Sequence, residues 1–219
     1  DEKLFRKTLK QAIDFAHESK GLVTLGITPS RPETGYGYIQ VSDQQADDGI
    51  YKVNTFAEKP NYATAKRFLE SGDFYWNSGM FIWRVDAIRK EIKKLMPELD
   101  EGLEELKPAI DSENFDEKLV DVYGKLKSIS IDYGVMEKSK NVYLIKSDFD
   151  WNDVGSWEAV YELSDKDKDD NALEGDVYAS NSYGSYVYSP DKFTAVVGLE
   201  NVIVINTEDA LLICNRDHA

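Results

Sequence analysis

The 219 residues carry 26 Lys and Arg against 41 Asp and Glu, a formal net charge of −15, with 42% hydrophobic and 12% aromatic residues. An acid excess of that size speaks against nucleic-acid binding through a basic surface and against a polybasic membrane anchor, and the apolar content speaks against disorder. One cysteine, Cys214, and two histidines, His17 and His218, exclude a disulfide framework and a Cys- or His-rich zinc site, so carboxylates, and with them Mg²⁺, are the metal chemistry left.

The chain enters an amphipathic pattern at once. Phe5, Leu9, Ile13 and Ala16 recur at helical spacing. Leu22 to Ile27 reads as a short buried strand, and Pro29 and Pro32 mark a loop after it. Gly35-Tyr36-Gly37-Tyr38-Ile39 leads into a second strand that runs through Val41, and Tyr51 to Phe56 alternates as a third. Pro60 and Asn61 open a helix carrying Ala65, Phe68 and Leu69, with Gly72 placed as its C-terminal cap. Trp76 to Trp83 is an apolar strand interrupted by Asn77-Ser78-Gly79.

Asp86 is the expected cap of a helix bearing Ile88, Ile92, Leu95 and Met96, which Pro97 ends. Two more amphipathic stretches follow, one with Leu99, Leu103 and Leu106, the other with Phe115, Leu119, Val122 and Leu126. Residues 97–121 hold ten acidic and two basic residues, a net of −8, which reads as a solvated outer face. Asp132 is the expected cap of a short helix through Met136, and Val142 to Ile145 is a strand. After Trp151-Asn152-Asp153-Val154-Gly155-Ser156-Trp157 a helix runs to about Leu163, and the alternating charges of Asp165 to Asp170 read as a linker. Beyond Asn171 five short strands are expected, around Val177 and at 183–188, 193–197, 202–205 and 210–214. The fold class is therefore α/β followed by a small all-β tail, divided into residues 1–167 and 168–219. The tail either begins a β-helix or caps the sheet. No apolar run is long enough to span a membrane and no signal-peptide pattern opens the chain, so a reducing cytoplasm is the expected setting.

Four segments carry chemistry. Gly35 and Gly37 beside aromatic rings allow close backbone approach to a ligand, the plain alternative being a turn into a strand. Glu58-Lys59-Pro60 ends a strand with opposite charges side by side. Pro60 breaks the alternation, so both heads can converge on one ligand, the carboxylate on sugar hydroxyls and the ammonium on phosphate; the alternative is a surface ion pair. Asn77 puts an amide in a core strand, where it must bond either backbone or a sugar; both readings stay open. Asp153 places a carboxylate at a strand-to-helix junction suited to metal–phosphate work, with helix capping by Asp153 or Ser156 as the alternative and Asp148 and Asp150 as rivals. No G-x-G-x-x-G or P-loop pattern occurs, and neither histidine suits a nucleophilic triad.

In order, Pro32-Glu33-Thr34-Gly35-Tyr36-Gly37-Tyr38-Ile39, Phe56-Ala57-Glu58-Lys59-Pro60, Trp76-Asn77-Ser78-Gly79-Met80-Phe81 and Trp151-Asn152-Asp153-Val154-Gly155-Ser156-Trp157 closely resemble the mannose-1-phosphate guanylyltransferases. The resemblance covers essentially the whole chain, with Leu22 to Ile27 and Gly198 to Val202 in support. It implies a Rossmann-like nucleotidyltransferase mixed sheet followed by a β tail. It also implies the reaction of GTP with mannose 1-phosphate to give GDP-mannose and pyrophosphate. By motif match, Gly37, Glu58 and Asn77 would hold the mannose, Lys59 would contact the sugar phosphate, and Asp153 would bind Mg²⁺; Lys59 and Asp153 are then the catalytic candidates.

The family's G-G-x-G-x-R-x-x-P and L-P-A-D-H segments do not occur in these residues. With the opening at Asp1 and the stop at Ala219, this makes the chain the expected sugar-binding half and tail of a longer enzyme, inactive alone. Two rivals stand beside this reading. One is a glucose-1-phosphate thymidylyl- or uridylyltransferase, which a sugar panel would separate. The other is a non-catalytic sugar-phosphate-binding module. Exposed strand edges permit a homodimer.

Overall fold

The computed structural model describes residues 1–219. The chain forms two compact units, Asp1–Trp151 and Asn152–Ala219.

The first unit opens with helix α1 (Glu2–Ser19), whose left-handed C-cap at Lys20 returns the chain into strand β1 (Leu22–Ile27). Strands β2 (Tyr38–Asp47) and β3 (Ile50–Ala57) form a hairpin, and helix α2 (Tyr62–Ser71) leads to β4 (Phe74–Ile82). Helices α3 (Val85–Leu95), α4 (Pro97–Leu106) and α5 (Phe115–Lys125) precede a π-helical turn at Asp132–Met136 and strand β5 (Val142–Ser147). The mixed α/β character is as expected. The five strands also close into a barrel, in the order β1-β4-β2-β3-β5. Only β1 and β5 run parallel, and β5 also pairs antiparallel with β3.

Both faces of β1 are covered, and every one of its residues is buried. Val23, Leu25 and Ile27 join one apolar cluster with Ala12 and Ala16 of α1 and Ala65 of α2. Leu22 joins a second cluster with Ile88 and Ile92 of α3 and with Val135 and Met136 of the π-turn. Alternate residues of a strand point to opposite faces, so a doubly covered strand reads as an unbroken apolar run.

Several local expectations hold for the reason given. Asn61 caps α2 by accepting the Thr64 N–H at 3.0 Å, and Gly72 closes it at φ 76°. Pro97 ends α3 and starts α4 as its first residue, where a missing N–H costs nothing. The acidic stretch lies on α4 and α5 and is laced by ion pairs, Arg89 to Glu104 at 2.7 Å and to Asp100 at 3.3 Å, and Lys118 to Glu105.

Other expectations change. Asp86 is not the cap of α3: it sits in the first turn and pairs with Arg84 at 2.8 Å. Asp132 caps nothing either. The turn it begins is π-helical, closed by the Glu137 N–H on the Asp132 carbonyl at 2.9 Å, and its carboxylate faces β4 instead.

The second unit holds helix α6 (Trp157–Leu163), capped by Ser156, and strands β6 (Ala172–Ser180), β7 (Tyr186–Val197), β8 (Val202–Asn206) and β9 (Leu211–Asn215), paired in that order. β6, β7 and β8 run parallel, as successive coils of a β-helix do, and β9 returns antiparallel. The strands expected at 183–188 and 193–197 are parts of one strand, β7.

The compact units part at Trp151 because α6 packs on this sheet. Tyr161 is buried with Ala172, Tyr186, Ile203 and Ile205, and its hydroxyl donates to the Asp170 carbonyl at 2.8 Å. Arg216 stacks 3.6 Å over the Tyr161 ring and pairs with Glu158. The stretch 165–170 is thus no loose linker; the Asp167 carboxylate accepts the N–H groups of Asp169 and Asn171, each at 2.9 Å. No helix is long and apolar enough to cross a membrane.

Gly175 stands where the β6–β7 register shifts. Its φ is +101°, and a Cβ there would overlap the Ser189 carbonyl of the neighbouring strand. A backbone neighbour cannot move aside as a flexible side chain does. Gly175→Ala is expected to destabilise the second unit by about 2–4 kcal/mol, seen as a lower thermal midpoint. An unchanged midpoint would show that the strand bends freely at this corner.

Candidate active site

The site is built where β2, β3, β4 and the π-turn meet. β3 ends at Ala57, and Glu58 and Lys59 follow before Pro60. Lys59 has φ 47°. A left-handed, non-glycine residue directly before proline is unfavourable, so the surrounding packing holds this turn. One restraint is the Glu58 N–H, which donates to the Glu137 carboxylate at 3.2 Å. The turn brings the two charged heads together as expected: Lys59 Nζ lies 3.9 Å from Glu58 Oε1. Their exposure differs, with the Glu58 side chain 12% exposed and that of Lys59 62%.

Glu58 is the unusual group. Its Oε2 is buried and has no hydrogen-bond partner. Its pKa is raised, first by desolvation and then by the charge of Asp132, with Lys59 pulling the other way and Glu137 adding to the rise. An ionised carboxylate with an unused buried oxygen is costly, and a protein that keeps one has an acceptor ready for a donor it does not itself supply.

Gly37 makes room for that oxygen. A Cβ at Gly37 would overlap Glu58 Oε2 and lie 3.3 Å from the Cβ of Asn77. The Gly37 carbonyl also accepts the Asn77 N–H at 2.8 Å. Three of the residues singled out from the sequence, Gly37, Glu58 and Asn77, are therefore neighbours, with Lys59 on the rim. Gly37 serves here by lacking a side chain.

Asn77 is bonded by the protein on three sides. Its Oδ1 accepts from the Thr24 hydroxyl at 3.3 Å and the Gly79 N–H at 3.2 Å, and its Nδ2 donates to Asp132 at 3.1 Å. One Nδ2 hydrogen remains. Asp132, Glu137 and Thr24 are contributors the sequence did not reveal. Asp132 and Glu137 are five residues apart, a spacing that shares a face only in a π-turn. Glu58, Lys59, Asp132, Tyr133, Glu137 and Lys138 line a cleft of about 650 Å³, a size that suits a small ligand. Its acceptors outnumber its cations, which favours hydroxyl groups, with Lys59 and Lys138 as the anchors for an anion.

Asp153 lies in the second unit and is exposed. The Asn152 side chain accepts the Val154 N–H at 2.8 Å, and Val154 has φ 52°. A Cβ at Gly155 would come within 2.6 Å of Asp153 Oδ2, so Gly155 gives the carboxylate its room. Ser156, not Asp153, caps the helix, accepting from Ala159 at 3.2 Å. No group of three or more His, Cys, Asp or Glu side chains is arranged to hold a metal ion. A single carboxylate does not make a resident Mg²⁺ site, since the ion takes about six oxygens.

Comparison with known proteins places this geometry. A mannose-1-phosphate guanylyltransferase of Escherichia coli is 38% identical over 222 residues, covering 98% of this chain and 47% of the relative. The xanthan biosynthesis protein XanB of Xanthomonas campestris is 40% identical over 221 residues, covering 99% and 46%. The crystal structure described as a mannose-1-phosphate geranyltransferase from Thermus thermophilus matches with a TM-score of 0.84 at 32% identity, covering 99% of this chain and 62% of that one. The chain thus spans about half the length of the curated relatives it matches. Residues 175–219 match the MannoseP isomerase/GMP-like beta-helix domain, in keeping with the parallel strands there. Residues 1–170 match the family described as nucleotidyl transferase, and the chain belongs to that family.

Proposed function

We propose that these residues form the sugar-phosphate side of an enzyme that transfers GMP from GTP to mannose 1-phosphate, giving GDP-mannose and pyrophosphate. The observation that carries this reading is the buried, unpartnered oxygen of Glu58, held open by Gly37 beside Asn77 and Lys59. Relatives named mannose-1-phosphate guanylyltransferase support mannose over glucose and GTP over other nucleotides.

In this reading Glu58 accepts from a mannose hydroxyl and the free Asn77 N–H donates to one. The exposed Lys59 ammonium orients the sugar phosphate. A phosphate oxygen attacks the α-phosphorus of GTP in line, a new P–O bond forms, and the bond to the pyrophosphate leaving group breaks. The attacking oxygen is already anionic, so positioning and charge neutralisation do the work and no general base is needed. In this reading Asp153 would hold Mg²⁺, which when bound would neutralise charge on the phosphates. We place the protein in the cytoplasm, where its lone, half-buried thiol at Cys214 stays reduced.

Pyrophosphate release by the whole protein that carries these residues tests the reaction, with GTP, dTTP and UTP offered against mannose 1-phosphate and glucose 1-phosphate. Turnover is expected for GTP with mannose 1-phosphate. Lys59→Ala is expected to lower kcat/KM about 100-fold, and Asp153→Asn at least about tenfold. Near-normal turnover in either variant rejects the role given to that residue, and preference for another substrate pair changes the name of the reaction.

Glu58→Gln separates binding from stability. A carboxyl whose pKa is raised on folding penalises the folded state above that pKa, and the penalty fades as pH falls toward the unfolded value of about 4.3. The variant is therefore expected to melt higher than the parent chain at pH 7, by an amount that vanishes below about pH 4. It should also bind mannose 1-phosphate at least about tenfold more weakly. Loss of both stability and binding would mean that Glu58 is a structural carboxylate.

A homodimer would pair through β9, an edge strand with exposed Leu211, Leu212 and Ile213. Sedimentation of a Leu212→Lys variant as a monomer, against a dimeric parent, is the expected outcome; a monomeric parent removes the dimer.

A further inference from the structure

We propose that Asp132 is a positioning residue for ligand recognition. By holding Asn77 Nδ2, it fixes the orientation of that side-chain amide and leaves it one uncommitted N–H, in the same site as the unpartnered Oε2 of Glu58. The inference rests on the sugar-binding reading of this site.

An asparagine amide has two nearly isosteric orientations, one offering a carbonyl oxygen and the other an NH₂ group at a given point. Asn77 is locked into one by three partners of fixed or forced polarity. The Gly79 N–H can only donate, and it lies 3.2 Å from Oδ1. An ionised Asp132 carboxylate can only accept, and its Oδ1 lies 3.1 Å from Nδ2. The Thr24 hydroxyl can do either, but with Oδ1 at 3.3 Å it must donate. Thr24 is fully buried on β1, so it does not swing away. Both carbonyl lone pairs and one N–H are then committed, and what Asn77 can offer a ligand is one donor and nothing else.

Glu58 offers the opposite. Its Oε2 is an acceptor without a partner, and it lies against the position that a Cβ on Gly37 would take, 3.3 Å from the Asn77 Cβ. One unpartnered acceptor and one uncommitted donor in the same site complement a hydroxyl group, which gives its proton to the carboxylate and receives the amide hydrogen on its oxygen. A ligand carrying only acceptors at that point, or lacking the hydroxyl, leaves a buried group unsatisfied, and such mismatches are strongly rejected. Asp132 therefore selects polyols, such as a hexose phosphate, through Asn77. It reaches Asn77 from the π-turn, a helical irregularity often associated with functional positions.

The test combines ligand binding with side-chain amide NMR on the full chain. The variants are Asp132→Asn, which keeps shape and removes the forced polarity, and Asp132→Ala as a second variant; thermal melts show that both fold. The expected result has three parts. The Asn77 side-chain NH₂ resonances shift in both variants. Mannose 1-phosphate affinity falls about tenfold in Asp132→Asn. No further fall occurs when Asp132→Asn is added to Asn77→Ala, as required of a residue acting through Asn77. Unchanged Asn77 resonances, or an equal affinity loss with and without Asn77, overturn the proposal. If both variants shift the Asn77 resonances but the unmodified chain binds no mannose 1-phosphate, the substrate reading falls while the Asp132–Asn77 lock stands.

Discussion

A polar amide inside an apolar strand has to be satisfied from several directions at once, and at Asn77 those directions come from different parts of the first unit. Thr24 reaches its side chain from β1 and Asp132 reaches it from the π-turn, while the Gly37 carbonyl, just before β2, accepts its backbone N–H. The alternative would be an unmade hydrogen bond in a desolvated place, which costs roughly 1–3 kcal/mol for each group. The same bonds that satisfy Asn77 therefore hold three segments in register around the cleft. The β-bulge between Thr24 and Gly26 in the β1–β4 ladder lies at this point, as bulges often do where a side chain must be re-aimed.

Glu58 makes the opposite compromise. Its neighbours Asp132 and Glu137 are acids, its own Oε2 has no partner, and burial works against its charge. A Cβ at Gly37 would overlap that same oxygen. The cleft is acid-rich within a chain of net charge −15, so an anionic ligand meets a repulsive field at long range and relies on Lys59 and Lys138 at close range.

The second unit solves a different problem. Three of its four strands run parallel, and the chain needs corners sharp enough to bring β6 and β7 side by side. Gly175 supplies one such corner through a positive φ and a close backbone approach to Ser189. Helix α6 covers part of the sheet through Tyr161, and the Arg216–Glu158 pair ties the last turn of the chain to that helix.

Local patterning was enough to find most elements. The unbroken apolar run of β1, the Asn61 and Gly72 caps of α2, and the shift to strands after Asn171 all express constraints acting within a few residues. The order of motifs around Gly37, Glu58 and Asn77 likewise pointed to one site. What the sequence could not decide were relations across distance. Asp132 reads as a helix cap by local rules, because Ser, Thr, Asp and Asn favour such positions; its actual partner is 55 residues away. Glu137 shares the cleft with Asp132, five residues earlier, because a π-turn puts that spacing on one face. The merging of two expected strands into β7, the closure of the barrel through β5, and the assignment of α6 to the second unit likewise depend on which surfaces meet. The sequence by itself determined which segments are helical, extended or capped and which side chains could carry the chemistry. Tertiary structure alone decided which polar atoms are satisfied and which are left open, because a hydrogen bond's partner is set by three-dimensional proximity and not by spacing along the chain.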